Sequence, residues 1–257
     1  MGEILRGGTM SLLERAKFIT ILIPALNEQE GLKKTLNAIP KEKLADLGYD
    51  LEIIVIDGNS TDLTREIAQT MGSKVIFEKR KGYGRAYKTG FLEARGDIII
   101  TLDGDGTYPA EFIPDYVQQL VEKRLDFITL NRFSNMEDDA MLFSHRVGNR
   151  ILSYAIQLLY SVKIKDSQSG MWVMSKKFID RINLVSDDYS LSEEIKIIAF
   201  SFFKGIELDG LYYRRAGKQK LVTFKDGWNN LKYLFRFKSL IKSAVKSPDE
   251  QIQRELL

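Results

Sequence analysis

Apolar residues occur in short continuous runs separated by longer amphipathic segments. The runs lie at Phe18–Ile23, Leu51–Ile56, Lys74–Phe77 and Ile98–Leu102. Runs of this length, rich in β-branched residues and without polar alternation, are typical of strands buried on both faces of a parallel sheet. Pro24 follows the first run and predicts its end.

The segments between the runs carry helix signals. Asn27 is predicted to cap a helix that extends to Ile39, with acidic residues in its first turn. Strands that alternate with helices of this length predict an α/β fold with a mostly parallel, Rossmann-like sheet and right-handed crossovers. The other predicted elements are helices over Ser60–Met71, Gly84–Glu93 and Phe112–Lys123, a strand over Asp126–Leu130 and an amphipathic segment over Met141–Val162.

The chain has no linker rich in Pro, Gly or Ser and no internal repeat. We therefore predict one main domain over residues 18–225, an N-terminal extension over 1–17 and a basic amphipathic helical segment over 226–257. In this last segment lysines and arginines alternate with apolar residues at helical spacing, namely Trp228, Leu231, Leu234, Phe235 and Leu240. Such a helix packs on its domain or binds a membrane interface, and we favour the interface.

Two carboxylates follow the last apolar run, in the sequence Asp103-Gly104-Asp105. In a strand, side chains i and i+2 point to the same side, so both carboxylates would face one point and Gly104 would let a ligand approach the backbone. Oxygen ligands of this kind suit Mg²⁺ or Mn²⁺ bridged to a diphosphate. An ordinary Asp-Gly turn is the alternative interpretation.

Composition narrows the possible chemistry. The 257 residues include no cysteine and one histidine, His145, which excludes disulfides, thiolate catalysis and cysteine-ligated zinc and gives little support to a Ser-His-Asp triad. A formal net charge of +3 is too small to indicate nucleic-acid binding. We find no secretory signal and no apolar run of the ~18–20 residues that span a bilayer, so we expect a cytoplasmic location, and if the protein works at a membrane it lies on the membrane surface.

Three motifs at predicted strand ends carry a family resemblance: P-A-L-N-E at 24–28, D-G-N-S-T-D at 57–62 and L-D-G-D-G at 102–106. Over residues 18–220 the chain resembles the family-2 glycosyltransferases of GT-A fold, which are inverting enzymes with nucleotide-sugar donors. Further motifs resemble the polyprenyl-phosphate (dolichol-phosphate) mannosyltransferase and hexosyltransferase branch. They are G-Y-G-R-A at 82–86, Y-P at 108–109, N-R at 131–132, D-S-Q-S-G-M at 166–171 and R-R-A-G-K-Q-K at 214–220.

The resemblance implies roles for the matching residues. Nucleotide-sugar binding is implied for Pro24, Asn27, Glu28, Asp57, Arg85, Asp103, Gly104 and Lys220. Metal binding is implied for Asp103 and Asp105, and a catalytic part for Asp105, Arg132 and Arg214. The chain has Asp57-Gly58-Asn59-Ser60 in place of the common D-D-G-S motif, so the second acid is missing and the base of the donor stays open.

The charged residues also bear on the acceptor. A phosphate monoester is anionic near neutral pH and needs positioning more than deprotonation, and Arg132 and Arg146 are cations near the acceptor motifs. An alcohol acceptor would need a general base, for which Glu193 and Glu194 are candidates. We expect these two acids to form the solvated first turn of a helix instead.

The favoured function is transfer of a hexose, from GDP-mannose before UDP-glucose or UDP-N-acetylglucosamine, to a polyprenyl or dolichyl phosphate at the membrane surface. A soluble glycosyltransferase acting on a small acceptor, such as a phosphorylated hydroxy acid, is the alternative. A sugar nucleotidyltransferase is disfavoured because its Gly-rich N-terminal loop ending in Arg is not seen. A non-catalytic binding protein is disfavoured because both Asp103 and Asp105 are present.

Overall fold

The computed structural model describes residues 17–217 and 223–245, without the side chains of 223–225. The strands in this part of the chain are β1 (Phe18–Ala25), β2 (Asp50–Asp57), β3 (Lys74–Phe77), β4 (Ile98–Thr101), β5 (Phe127–Met136), β6 (Trp172–Ser175) and β7 (Gly205–Tyr212). The helices are α1 (Gln29–Ala38), α2 (Lys41–Asp46), α3 (Thr64–Thr70), α4 (Tyr83–Glu93), α5 (Ile113–Glu122), α6 (Phe143–Tyr160), α7 (Lys176–Arg181), α8 (Leu191–Phe202) and α9 (Thr223–Leu240). Single 3₁₀ turns lie at Ala110–Phe112 and Ile241–Ala244.

The strands form one sheet in the order β3-β2-β1-β4-β6-β5-β7. Neighbouring strands are parallel, except that β6 runs antiparallel to both β4 and β5. The chain steps from β1 outward to β2 and β3 and then returns to the other side of β1 as β4, so the strand order reverses between β1 and β4. In open α/β sheets the carboxyl ends of the strands at such a reversal form the ligand crevice.

The alternation of side chains along β1 explains why the sheet has a core on each face. Ile21 and Ile23 belong to one hydrophobic cluster and Leu22 belongs to the other, and all three are fully buried. Successive side chains of a strand point to opposite faces, so a continuous apolar run supplies both cores. The predicted mostly parallel α/β sheet is therefore confirmed.

Pro24 does not end β1 but lies inside it, paired with β2. The carbonyl of Leu22 accepts a hydrogen bond from Leu102 on the β4 side. The carbonyl of Ala25 accepts one from Gly58 on the β2 side. Alternate residues of β1 form hydrogen bonds with β4 and with β2. Pro24, like Leu22, faces the β4 side, where pairing has already ended at Leu22, so its missing N–H costs no hydrogen bond of the sheet.

Two boundaries near the helices also differ from the prediction. The N-cap of α1 is Glu28 rather than Asn27, which adopts a left-handed φ of 50°. Helix α9 runs across the predicted boundary between residues 225 and 226 and packs on α6 and α8. Leu234 and Phe237 of α9 are fully buried in a core cluster, whereas Trp228 remains exposed.

Candidate active site

The three strand-end motifs meet at one edge of the sheet. β1 leads to Asn27 and Glu28, β2 ends at Asp57, and β4 leads to Asp103 and Asp105. These strands include the pair between which the strand order reverses. The topology thus brings residues that are distant in the sequence to the edge where α/β sheets bind ligands.

Asp105 is held in a turn rather than in a strand. β4 ends at Thr101, before both carboxylates. The Oδ1 atom of Asp105 accepts hydrogen bonds from the backbone N (3.1 Å) and the Oγ1 (2.7 Å) of Thr107. Its Oδ2 atom accepts from Nη1 of Arg215 at 2.6 Å. The carboxylate is therefore preorganised by side-chain and backbone donors, not by the expected i, i+2 strand geometry.

Glycines bring α1 against this turn. A Cβ on Gly31 would lie 2.5 Å from Cα of Asp105, so only glycine permits this approach. A Cβ on Gly104 would lie 3.6 Å from the side chains of Ala25 and Glu28, an ordinary contact distance. Gly104 thus faces the β1 loop, and Gly31 is the glycine that the close packing requires.

Asp103 is half-buried beside the D-S-Q-S-G segment. A Cβ on Gly170 would lie 3.3 Å from Oδ1 of Asp103. Burial and the neighbouring charge of Asp105 raise the pKa of Asp103 to about 7, against the opposing effect of Arg132. A nearby cation would stabilise the charged form of Asp103, which burial and Asp105 disfavour.

The side chains at this edge fit a divalent cation that is shared with a diphosphate. Within residues 17–217 and 223–245, no group of three or more His, Cys, Asp or Glu is arranged to hold a metal. Mg²⁺ is commonly held by one or two carboxylates, with water and substrate phosphate filling its other positions. Asp103 and Asp105 supply two carboxylates, and the guanidinium of Arg215 already lies against Asp105 as a cation. The donor set therefore suits Mg²⁺ or Mn²⁺ bound together with a nucleotide.

The arginine that reaches this edge is Arg215 and not Arg214. Nη2 of Arg215 lies 2.5 Å from Oε1 of Glu28, while its Nη1 contacts Asp105. Arg214 is largely exposed, and its Nε donates to the carbonyl of Asp138 at 2.7 Å. Adjacent side chains of an extended segment point to opposite sides, so only one of the two can face the site. Lys220, the other predicted cation of this motif, lies outside the described residues.

Arg132 is buried in an ion pair with Asp166. Its Nε and Nη2 donate to the two carboxylate oxygens at 2.7 and 2.8 Å, and Asn149 donates to the same carboxylate at 2.6 Å. Burial favours a raised pKa for Asp166, but the charge and hydrogen bonds of Arg132 together with the charge of Lys196 outweigh burial and lower the pKa to about 2. The charge of Arg132 still acts on Asp103. Arg146 is exposed in the first turn of α6.

Asn27 and Asp57 join the loops that follow β1 and β2. Oδ1 of Asn27 accepts from the backbone N of Thr61 at 2.8 Å, and its own backbone N donates to Oγ of Ser60 at 2.9 Å. Asp57 is fully buried and accepts from the backbone N of Ser60 at 3.2 Å. Nε of Arg65 lies 3.3 Å from the Asp57 carboxylate. These two residues therefore fix the loop backbone beside Glu28.

The Gly-rich loop before α4 packs against the segment that precedes α8. Arg85 forms an ion pair with Asp187. A Cβ on Gly82 would lie 2.2 Å from the carbonyl oxygen of Asp187, and Gly82 has a φ of 132°. The hydroxyl of Tyr83 lies 2.4 Å from the position that a Cβ on Gly170 would take. Arg85 is thus engaged with the protein, and Tyr83 is the loop side chain that borders Asp103.

The acids at the start of α8 are fully buried, which corrects the expected solvated helix turn. Glu194 accepts hydrogen bonds from the backbone N of Val185 (2.7 Å) and Ser186 (2.8 Å). Glu193 accepts from Nε2 of Gln168 at 2.8 Å, and its Oε2 has no hydrogen-bond partner. Burial raises the pKa of Glu193 to about 8.

We expect Glu193→Gln to change how stability depends on pH. The pKa of Glu193 is about 8 in the folded state and 4.5 as its ordinary value, so the folded state keeps a proton that the unfolded chain releases. This carboxyl therefore makes the wild type less stable as pH rises from about 4.5 through about 8, and glutamine removes that contribution. Denaturant unfolding across this range should show the variant gaining relative to the wild type. The exposed Glu66→Gln variant is the control, and a pH-independent difference for Glu193→Gln would contradict the expectation.

Comparison with solved structures identifies the fold. The structure is similar to that of glucosyl-3-phosphoglycerate synthase from Mycobacterium tuberculosis in complex with Mn²⁺, UDP-glucose and phosphoglyceric acid. The TM-score is 0.67 at 19% sequence identity, over 91% of this chain and 83% of that chain. This likeness shows the GT-A fold.

The family follows from the sequence comparison. The model of glycosyl transferase family 2 matches residues 20–182, and the chain belongs to this family. It is 29% identical over 224 residues to the low-salt glycan biosynthesis hexosyltransferase of Haloferax volcanii, covering 85% of this chain but only 53% of that relative. It is 27% identical over 210 residues to the dolichyl-phosphate hexose transferase of the same organism, covering 81% of this chain and 89% of that protein. The resemblance to the polyprenyl-phosphate branch is thus confirmed. None of the described helices meets the length and apolarity needed to cross a membrane.

Proposed function

We propose that this chain transfers a hexose, with inversion, from a nucleotide sugar to a polyprenyl or dolichyl phosphate at the cytoplasmic face of a membrane. GDP-mannose is the favoured donor and Mg²⁺ or Mn²⁺ the cofactor. The observation that carries the proposal is the pair Asp103 and Asp105 at the strand reversal, with Arg215 in contact with one carboxylate and Arg132 within electrostatic reach of the other. Such a site matches a metal-bound diphosphate on one side and an anionic acceptor on the other.

The donor half of the site needs groups that bind and neutralise a diphosphate. Asp103 and Asp105 would hold the divalent ion, which when bound stabilises negative charge on the leaving nucleoside diphosphate. Arg215 places a second cation at the same edge. Asn27 and Asp57 fix the loop that would receive the nucleoside.

The acceptor half needs cations more than a base. A phosphate monoester is already anionic near neutral pH, so positioning it against the sugar is the main requirement. The two hydrogen bonds that the Arg132 guanidinium donates to the Asp166 carboxylate fix its orientation. Arg146, exposed on α6, is the further candidate cation for the acceptor phosphate.

A direct transfer assay tests the proposed function. The chain is incubated with polyprenyl phosphate and radiolabelled GDP-mannose, UDP-glucose or UDP-N-acetylglucosamine, with Mg²⁺ or Mn²⁺. We expect labelled lipid with one donor and loss of the product when EDTA removes the ion. NMR of the released sugar phosphate reports whether the anomeric configuration inverts. Absence of labelled lipid with all three donors would reject the lipid acceptor.

A small phosphorylated hydroxy acid is the second candidate acceptor. It is favoured by the likeness to the Mycobacterium tuberculosis synthase solved with phosphoglyceric acid. Attack by a hydroxyl requires a general base, and Glu193 has a raised pKa and an unpartnered Oε2. The same assay with phosphoglyceric acid in place of the lipid discriminates between the two acceptors.

We expect Asp57→Ala to weaken binding of the nucleoside diphosphate. The change removes the acceptor that holds the backbone N–H groups of Asn59 and Ser60, so the loop beside Glu28 loses its fixed shape. We expect the free energy of nucleotide binding to weaken by about 1.5–3 kcal/mol, the size of one charge-assisted hydrogen bond. Titration calorimetry measures the change, with Asp50→Ala at the exposed start of the same strand as the matched control. Unchanged affinity in a folded variant would rule out the role.

A further inference from the structure

The outer side of α6 carries an uninterrupted apolar stripe. Its members are between 40% and 78% exposed, and they are Leu142, Phe143, Val147, Ile151, Tyr154 and Leu158. From Phe143 onward they recur every three or four residues, so they lie along one side of the helix. The opposite side packs into the domain through Asn149, Leu152, Ser153 and Ile156. The side of the helix that the protein does not cover therefore carries a continuous apolar stripe.

The stripe is large for a surface of a protein in water. A helix of 18 residues is about 27 Å long, and the stripe follows most of it. Apolar patches of this extent on a soluble domain usually mark an interaction surface. Helix α9, which packs beside α6, adds the exposed aromatic residues Trp228 and Phe235.

The charges next to the stripe indicate what kind of partner it fits. Helix α6 contains Arg146 and Arg150, both exposed, and no Asp or Glu. On α9, exposed Lys232 and Arg236 lie in the same stretch as Trp228 and Phe235. Apolar side chains combined with cations and few acids match the interface of a bilayer with anionic headgroups.

We propose that α6, together with the exposed flank of α9, docks the chain on the surface of an anionic lipid bilayer. The inference rests on the proposed function in that a lipid acceptor must be reached from the membrane. The inner side of the same helix holds the acceptor end of the site, because Asn149 donates to the Asp166 carboxylate that orients Arg132. A docked α6 thus lies between the lipid surface and the arginine that would meet the lipid phosphate.

Pairing with a second copy of this chain fits the stripe less well. A symmetric dimer through α6 brings the same residues of both copies together. Arg146 and Arg150 of one copy would then approach those of the other, with no acid on α6 to neutralise them. Like charges brought together in this way oppose association. Lipid phosphates, in contrast, supply the missing negative charge.

Vesicle flotation of the full chain tests the docking face. Vesicles of phosphatidylcholine with phosphatidylglycerol, free of polyprenyl phosphate and donor, are floated with the protein at low ionic strength. We expect the wild type to float and the triple variant Phe143→Gln, Ile151→Gln, Leu158→Gln to lose at least about tenfold in partitioning, because each buried CH₂ contributes to interfacial binding. The matched control removes three exposed leucines elsewhere, at Leu47, Leu63 and Leu92, and should float like the wild type.

A charge variant completes the test. Arg150→Gln with Lys232→Gln should weaken flotation about fivefold for each cation removed and reduce its sensitivity to salt. Circular dichroism must show all variants folded. A wild type that ignores the vesicles, or a triple variant that floats equally well, overturns the proposal. If light scattering shows that the wild type is a dimer and the triple variant a monomer, the stripe binds a second copy of this chain and the membrane proposal is overturned. Transfer measured in detergent is independent of docking, so failure of the proposed function is recognised separately.

Discussion

Asp103→Asn is expected to abolish sugar transfer while the chain stays folded. The substitution keeps the size of the side chain but removes a carboxylate from a site where Asp105 is already committed to Thr107 and Arg215. The loss should be at least about a hundredfold, the scale seen when one preorganised electrostatic group is removed from an active site. Transfer of labelled hexose measures it, with Mn²⁺ binding in the presence of nucleoside diphosphate as a second readout.

A substitution at Asp103 tests the metal site more specifically than one at Asp105. Removing the carboxylate of Asp105 would also release the backbone of Thr107 and the guanidinium of Arg215, so a loss of activity would have two explanations. The matched control is Asp50→Asn, an exposed aspartate at the opposite end of the sheet. Full activity of Asp103→Asn, or activity of the wild type that persists in EDTA, would remove the metal site from the mechanism.

The sheet and the position of the site follow from the sequence because they depend on local patterns. Continuous apolar runs predict central strands, and the element Lys74–Phe77 has the predicted bounds in the structure. Parallel strands joined by helices place their carboxyl ends at one edge, so three motifs found at strand ends must meet there. Pro24 is the exception, because whether β1 continues past it depends on where β4 stops pairing.

The environment of each charged side chain does not follow from the sequence, because it depends on packing between distant segments. The sequence around the two acids of α8 is typical of a solvent-exposed first turn of a helix. In the structure, Glu193 is buried and bonded to Gln168 of the D-S-Q-S-G segment, 25 residues earlier in the chain. The apolar pattern of the C-terminal helix predicts a membrane-binding stripe, yet Leu234 packs into the core while Trp228 and Phe235 stay exposed. Among the described residues, a longer exposed apolar stripe lies instead on α6.

The adjacent residues Arg214 and Arg215 show most clearly that packing decides which charged side chain reaches the site. They also carry the second prediction with a large expected effect. The R-R-A-G-K motif indicates a cation at the donor, but not which arginine supplies it. Backbone hydrogen bonds determine which arginine faces the site. Tyr213 and Ala216 donate to the carbonyls of Thr107 and Asp105, and this orientation of the backbone directs Arg215 toward Asp105. We therefore expect Arg215→Ala to reduce transfer about tenfold to a hundredfold.

Arg214→Ala is the matched control, since it removes the same side chain one residue away. Its guanidinium contacts the carbonyl of Asp138 at the surface, so transfer should stay close to the wild-type rate. Arg215→Lys should lie between the two, because lysine keeps the charge but loses the two-pronged contact with Glu28 and Asp105.

Metal binding without nucleotide separates a site role for Arg215 from a merely structural one. In the structure the guanidinium neutralises Asp105 and Glu28, so a divalent ion arriving alone must compete with it. Removing Arg215 leaves three carboxylates, including Asp103, with less opposing charge, and Mn²⁺ should then bind more tightly than to the wild type. Mn²⁺ titration followed by electron paramagnetic resonance measures this affinity. If Arg215→Ala loses activity but binds Mn²⁺ no better than Arg214→Ala, Arg215 stabilises the fold of the loop and does not occupy the position of the cation.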